Sequence, residues 1–347
     1  MNKTFNRVLR AGAMAGAVVV TMANPLTAQA ETKRITFVSW GGSTQQAQKA
    51  AWADSFTKKT GIRVSQEGPT NYGKLKAMVD SGNVSWDVVD VEGEFALRAA
   101  KQGLLEPLDF SVIDKDSIDD RFVNDYGVGS FFFSFVLAWN TNKYSDEQPR
   151  SWKDFFDVEK FPGQRMVYKW PSAGVLEMAL LADGVKADDL YPLDIDRAMK
   201  KLATIKDHLS FWGSGAESQQ ALATGEVAMC FCWNGRVYNL LAQGAPVDYT
   251  WNENLAYADF LVVPKGAPHE KAAMQFIAHA TSAKSQADFA NRSAYTPVNT
   301  QSADMVKPEL RKHLATQHLD TQVLMRFDYW AEHGPEIAKK WNRFILQ

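Results

Sequence analysis

Beyond residue 31 the chain alternates short runs rich in β-branched and aromatic residues with amphipathic stretches of helical period, and this alternation limits the fold more than any other feature. Residues 34–40 (RITFVSW) form a β-rich run. Ser43 caps a helix reaching Lys59, with Trp52 and Phe56 on one face and Gly61 just past its end. Residues 62–66 read as a strand, 72–80 as a helix and 86–91 as a buried strand, and a helix from Glu94 stops at Gly103. A β-α-β-α-β order implies a parallel sheet with helices on both faces.

The strongly apolar strand 131–140 (FFFSFVLAWN) separates this series from a second one. Ser151 caps a short helix, 166–170 reads as a strand, and 173–181 and 196–208 as helices. Residues 219–224 lead into Gly225, then come strand 227–233, helix 235–243, strand 257–264 and helix 270–280, and 308–347 reads as helical again. No low-complexity linker or internal repeat interrupts the chain. Two α/β lobes joined by strands, with a cleft between them, are the expected architecture.

The first thirty residues read as an export address. Lys3, Arg7 and Arg10 make a positive start, residues 11–22 are small and apolar, and Pro25 precedes Ala28-Gln29-Ala30, an A-x-A cleavage signal. The apolar stretch is about 12 residues, against roughly 20 needed to span a bilayer, so cleavage rather than anchoring is expected. No Cys follows it to carry a lipid. The chain has 38 Lys+Arg and 40 Asp+Glu, and losing three basic residues with the leader takes its net charge from −2 to −5. With no basic block, nucleic acid is not an expected partner. Cys230 and Cys232 are expected to point to opposite faces of their strand and to stay buried as free thiols.

Several segments together resemble the extracellular solute-binding proteins related to the spermidine/putrescine-binding receptors of ABC importers. They are residues 35–42 (ITFVSWGG), 56–64 (FTKKTGIRV), 86–93 (WDVVDVEG), 136–144 (VLAWNTNKY), 151–156 (SWKDFF), 225–236 (GEVAMCFCWNGR) and 294–299 (AYTPVN). Each is weak alone, but their order and spacing are specific, and the likeness covers essentially the whole chain after the leader. The resemblance implies a two-lobed periplasmic-binding-protein fold of mixed, mainly parallel sheets. Lobe one would be 31–137 plus 260–300 and lobe two 138–259 plus 301–347, with crossover strands at the hinge. It also implies a monomer in the periplasm that closes on a small solute and presents it to membrane permease subunits.

Ligands of open α/β sheets sit outside the carboxyl ends of strands. The residues at those ends are Trp40, Gly41 and Ser43, then Gly93 and Glu94, Trp170 and Ser172, Trp233 and Arg236, and Tyr257 and Asp259. The aromatics among them suit attraction of an ammonium, worth about 0.5–2 kcal/mol per contact. Trp40 either contacts ligand or caps the core. Arg236, read as facing the cleft mouth, stands where polyamine receptors of the family can carry an Asp. It favours an anionic group or bridges surface acids. Ser172, Ala173 and Gly174 replace acids that those receptors tend to carry. Asp259 matches a family Asp that binds an ammonium; a hinge hydrogen bond is its other reading. Tyr295 and Trp330 match further cleft aromatics, while Glu92 and Glu94 either bind an ammonium or begin a helix favoured by its dipole.

Arg236 with Asp259 points to a ligand bearing both charges, such as 4-aminobutyrate or an aminoalkyl phosphonate, with a polyamine as the alternative. No nucleophile elbow, zinc-protease motif or phosphate-binding loop occurs. Glu92 and Glu94 could imitate a hydrolase dyad, a remote alternative. No catalytic residue, metal or cofactor is expected.

Overall fold

The computed structural model describes residues 34–144 and 146–346, so the leader expected in residues 1–30 lies outside the described residues. The chain begins with β1 (Arg34–Val38) and α1 (Gly42–Gln48), which runs through a π-helical turn (Lys49–Ala53) into α2 (Asp54–Thr60). Then come β2 (Arg63–Glu67), α3 (Tyr72–Ser81), β3 (Val88–Glu92) and α4 (Gly93–Lys101). β1 pairs in parallel with both β2 and β3, as the alternation requires. Gly41, at φ 69°, and not Ser43, precedes the first helix. A residue with a Cβ is strained at that angle, and Ser43 is free to bond elsewhere.

The middle of the chain supplies β4 (Val123–Asn124), β5 (Gly127–Asn140), α5 (Trp152–Phe156), β6 (Arg165–Tyr168), α6 (Val175–Ala182), α7 (Ile195–Ala203) and β7 (Leu209–Trp212). Ser151 and Asp154 close a reciprocal capping box at α5, as the local sequence implies. Next come α8 (Gly215–Thr224), β8 (Met229–Trp233), α9 (Asn234–Ala242) and β9 (Val247–Val262). The chain ends with α10 (Glu270–Ala280), α11 (Ala283–Ser293), α12 (Pro308–Arg311), β10 (Gln322–Leu324) and α13 (Phe327–Leu346).

All strands join one sheet of order β2-β1-β3-β9-β5-β8-β6-β7, with β4 beside β5 and β10 beside β9. Its centre is the antiparallel pair β5 and β9, 14 and 16 residues long. β3 binds only the last residues of β9, from Asp259 onward, and β8 binds only the second half of β5, from Phe135 onward. Each long strand therefore serves both halves of the sheet. Its register slips between Gly129 and Phe131 and again between Phe135 and Leu137, irregularities that bend and twist a ladder.

Three expectations are corrected, and two elements go unread. β9 starts at Val247, ten residues before the apolar run, because its alternating first half (VDYTWN) turns Val247 and Tyr249 into the core and pairs with β5. β7 and α11 go unread in the sequence. The tail is not one helix: β10 pairs in parallel with β9 before α13 begins. Finally, Cys230 and Cys232 are joined by a disulfide. Side chains alternate faces along a strand with period two, so residues two apart share a face. The expectation of opposed thiols had that geometry inverted.

Candidate functional site

Of the eleven tryptophans, Trp52, Trp86, Trp139, Trp152, Trp212, Trp330 and Trp341 are fully buried. Trp251 stacks on His318. The three that remain, Trp40, Trp170 and Trp233, line one cavity of about 710 Å³. They stand just after β1, β6 and at the end of β8, the carboxyl ends at which a sheet of this kind binds ligands. Glu92 and Glu94 enter from the end of β3 and the start of α4, Tyr72 from α3, and the Gly213-Ser214-Gly215 turn from the end of β7. Pro335 of α13 closes another side.

A second, much smaller space of about 10 Å³ lies behind Trp40 and Trp233, lined also by Thr44, Phe131, Phe133, Asp259 and Tyr295. The two tryptophan rings, with centroids 6.3 Å apart, form the wall common to both spaces. Neither indole N–H has a hydrogen-bond partner. Tyr295 stacks on Phe131 at 4.8 Å, which fixes the back of the small pocket.

Carboxylates gather on one face here. Glu92 and Asp259 are directly opposite each other in the antiparallel β3–β9 ladder, and Asp90 lies two residues before Glu92 on the same side of its strand. All three are buried. Burial drives the Asp259 carboxyl well above the usual range, reinforced by Asp90 and Glu92 and opposed by the Trp40 indole, which lies near it without completing a hydrogen bond. Glu92 is pushed up to about 8 by burial and then by Glu94, with Tyr72, Arg98 and Tyr168 acting against the shift. The Tyr72 hydroxyl donates to Glu92 Oε2 at 3.2 Å and accepts the Glu92 backbone N–H at 3.0 Å. Glu94 is pushed up to about 7 by burial alone, against its 2.7 Å bond from Arg98. Asp90 Oδ2 accepts from Gln48 and Ser39, and its Oδ1 has no partner.

Arg236 is not at the mouth of the cleft but 1% exposed beneath it. Its Nη1 donates to Ser43 Oγ at 3.0 Å and Gln219 Oε1 at 3.2 Å, and its Nη2 to the Gly41 carbonyl at 3.1 Å, while Nε has no partner. Burial lowers its proton affinity and the neighbouring Tyr295 supports the charge. The Tyr295 hydroxyl is raised to about 12 by burial, with Arg236 opposing and Asp259 adding to the shift, so it feels both charges. Space for the guanidinium depends on Gly42 and Gly215, where an added Cβ would lie 2.6 Å from Arg236 atoms.

Trp40, Glu94, Trp170, Ser172 and Trp233 thus line the large cavity, and Asp259 and Tyr295 the small one. Gly41 and Ser43 hold Arg236 behind them. Three further candidates line neither space. Gly93 is packed under the rings of Phe260 and Phe327. Tyr257 is fully buried among Phe133 and Phe327. Trp330, also buried, donates to Glu177 Oε1 at 2.7 Å. Sequence reasoning does not single out Tyr72, Tyr168, Asn71 or the 213–215 turn. An unread β7 hides the turn's place at a strand end, and a Tyr opening a helix carries no local sign of facing a cavity.

Residues 51–316 match the family described as bacterial extracellular solute-binding protein. The solved structure of the Atu4243 GABA receptor superposes with a TM-score of 0.84 at 54% identity, over 90% of this chain and 97% of that one. The gamma-aminobutyric acid-binding protein of Pseudomonas aeruginosa is 34% identical over 329 residues, 92% of this chain and 93% of its own length. The spermidine/putrescine-binding periplasmic protein of Escherichia coli K12 is more distant, 22% identical over 324 residues, 89% of this chain and 88% of its own length. These likenesses bear out the resemblance drawn from the sequence and the periplasmic-binding-protein fold it implies. The chain belongs to the bacterial extracellular solute-binding protein family.

Proposed function

We propose that this protein is the periplasmic receptor of an ABC importer, that its ligand is a four-carbon ω-amino acid of the 4-aminobutyrate type, and that it has no catalytic role. The observation that carries this reading is a pair of buried, incompletely bonded groups of opposite sign, Asp259 Oδ1 and Arg236 Nε, both neighbours of Tyr295. Burial holds the Asp259 carboxyl toward its neutral form; an ammonium beside it lets it ionise and a carboxylate meets Arg236, so a zwitterion supplies a partner to each. Trp40 and Trp233, the wall common to the two spaces, offer apolar surface to the carbon chain on the side of the large cavity. A polyamine would complete Asp259 and leave a second ammonium facing Arg236. The named ligand of the relatives at 54% and 34% identity points the same way.

In this reading the lobes, 31–137 plus 260–300 and 138–259 plus 301–347, hinge on the long strands β5 and β9 and close over the solute as a monomer. The leader is removed, leaving Glu31 at the N-terminus of a periplasmic protein. Calorimetric titration with 4-aminobutyrate and with putrescine tests the ligand. Tight binding of 4-aminobutyrate is expected; tight binding of putrescine with none of the zwitterion overturns the assignment.

A further inference from the structure

The small pocket alone does not use Glu92. This carboxylate faces the large cavity, while its cross-strand partner Asp259 faces the small one. Residues directly opposite in an antiparallel ladder have their Cβ atoms about 4.5–5.5 Å apart, and like charges there repel. Among the described residues no Lys, Arg or His lies within ion-pairing distance of Glu92 or Asp259, and the nearest arginine on α4, Arg98, is committed to Glu94. The wall between the two spaces also carries an unused donor, the Trp233 indole N–H, on a side chain only 7% exposed. Two carboxylates that face two adjoining cavities therefore stand side by side in one ladder.

We infer that Glu92 is the second carboxylate of the ammonium site and that the receptor accepts ω-amino acids whose nitrogen carries an alkyl substituent, the substituent lying in the large cavity. This rests on the 4-aminobutyrate reading above. A secondary ammonium has two N–H groups, one for Asp259 and one for Glu92, and its remaining bond leads away from the small pocket. The space beyond is about 710 Å³ and walled by Tyr72, Tyr168 and Trp170, within the range of pockets that hold drug-sized molecules. A primary ammonium also satisfies both carboxylates and leaves its third N–H to solvent. A quaternary ammonium has no N–H and satisfies neither.

Calorimetry with 4-aminobutyrate, N-propyl-4-aminobutyrate and N,N,N-trimethyl-4-aminobutyrate tests this, on the wild-type chain and on Glu92→Gln, with circular dichroism to verify the variant's fold. The N-propyl compound is expected to bind within about tenfold of the parent and the trimethyl compound at least 100-fold more weakly. Glu92→Gln is expected to weaken both amines that keep an N–H by at least tenfold. The inference is overturned if the parent binds and the N-propyl compound is more than 100-fold weaker, or if a folded Glu92→Gln binds both as the wild type does. Failure of 4-aminobutyrate itself sinks the proposed function, and the inference that rests on it falls with it, whereas binding of the parent without the N-propyl compound sinks the inference alone.

Discussion

Glu92→Gln separates the stability of this protein from its binding, because the carboxyl that a ligand would complete burdens the empty fold. Burial and the Glu94 charge hold Glu92 at about 8 instead of the ordinary 4.5. For a carboxyl raised in this way the folded state binds more protons than the unfolded state at every pH between the two values. Stability is therefore lost as pH rises through that window. Between pH 5.5 and 8 this one group removes roughly 3 kcal/mol from the wild type, an upper figure because relaxation and water reduce it. Gln keeps the shape and the hydrogen bond to Tyr72 and does not titrate. Glu94 at about 7 and Glu177 at about 7 remain in both proteins, so the difference between the two isolates Glu92. The assay is urea unfolding of ligand-free protein at pH 5.5 and 8.0. With a slope of about 3 kcal/mol per molar for a chain of this size, the wild-type midpoint should fall by about 1 M more than the variant's. Removing Glu92 also relieves Asp259, which it raises, so coupling pushes the result in the same direction. Equal midpoint shifts in the two proteins would refute the reasoning.

Asp259→Asn should weaken 4-aminobutyrate by at least about 30-fold by calorimetry, a loss of 2 kcal/mol or more for a buried charge pair, without lowering the urea midpoint of the empty protein. Arg236→Lys keeps the charge but loses the fork that reaches Ser43, Gln219 and the Gly41 carbonyl; a drop in both melting temperature and ligand affinity is expected. Trp330→Phe removes the donor to Glu177 Oε1 and should cost about 1–2 kcal/mol in urea unfolding while leaving ligand affinity within twofold. A larger change in affinity would return Trp330 to the binding site.

Local chemistry explains which parts of the molecule the sequence reveals. The first half reads well because each helix and strand carries its own signal, such as the Ser151–Asp154 box or the apolar run of β3. Among the unread parts are those whose structure comes from a distant partner. β10 exists because β9 offers an edge, whereas residues 247–252 (VDYTWN) do alternate apolar and polar and are overlooked beside the stronger apolar run that follows. The site divides in the same way. Trp40, Trp233, Asp259 and Arg236 announce themselves at strand ends. The burial of Arg236 does not, since it depends on glycines at 42 and 215 brought together from separate segments. Tyr257 and Trp330 look like cleft aromatics in the sequence, yet packing against Phe327 and Glu177 draws them into the core.

The arrangement of charge also bears on why the site is built on β3 and β9 and not on loops. A strand pair fixes the relative position of opposite side chains through its backbone ladder, so Glu92 and Asp259 cannot drift apart to relieve their repulsion. On mobile loops the same two acids would separate, hydrate and lose their demand for a cation. Arg236 is restrained comparably, held by Gly41, Ser43 and Gln219 so that Nε stays free of them. Folding supplies these restraints through the apolar core that surrounds them and leaves Asp259 Oδ1 and Arg236 Nε each short of one partner. Under the proposed function, the energy withheld there becomes available to a ligand that brings the missing charges, so stability lost in the empty protein would turn into selectivity for a zwitterion.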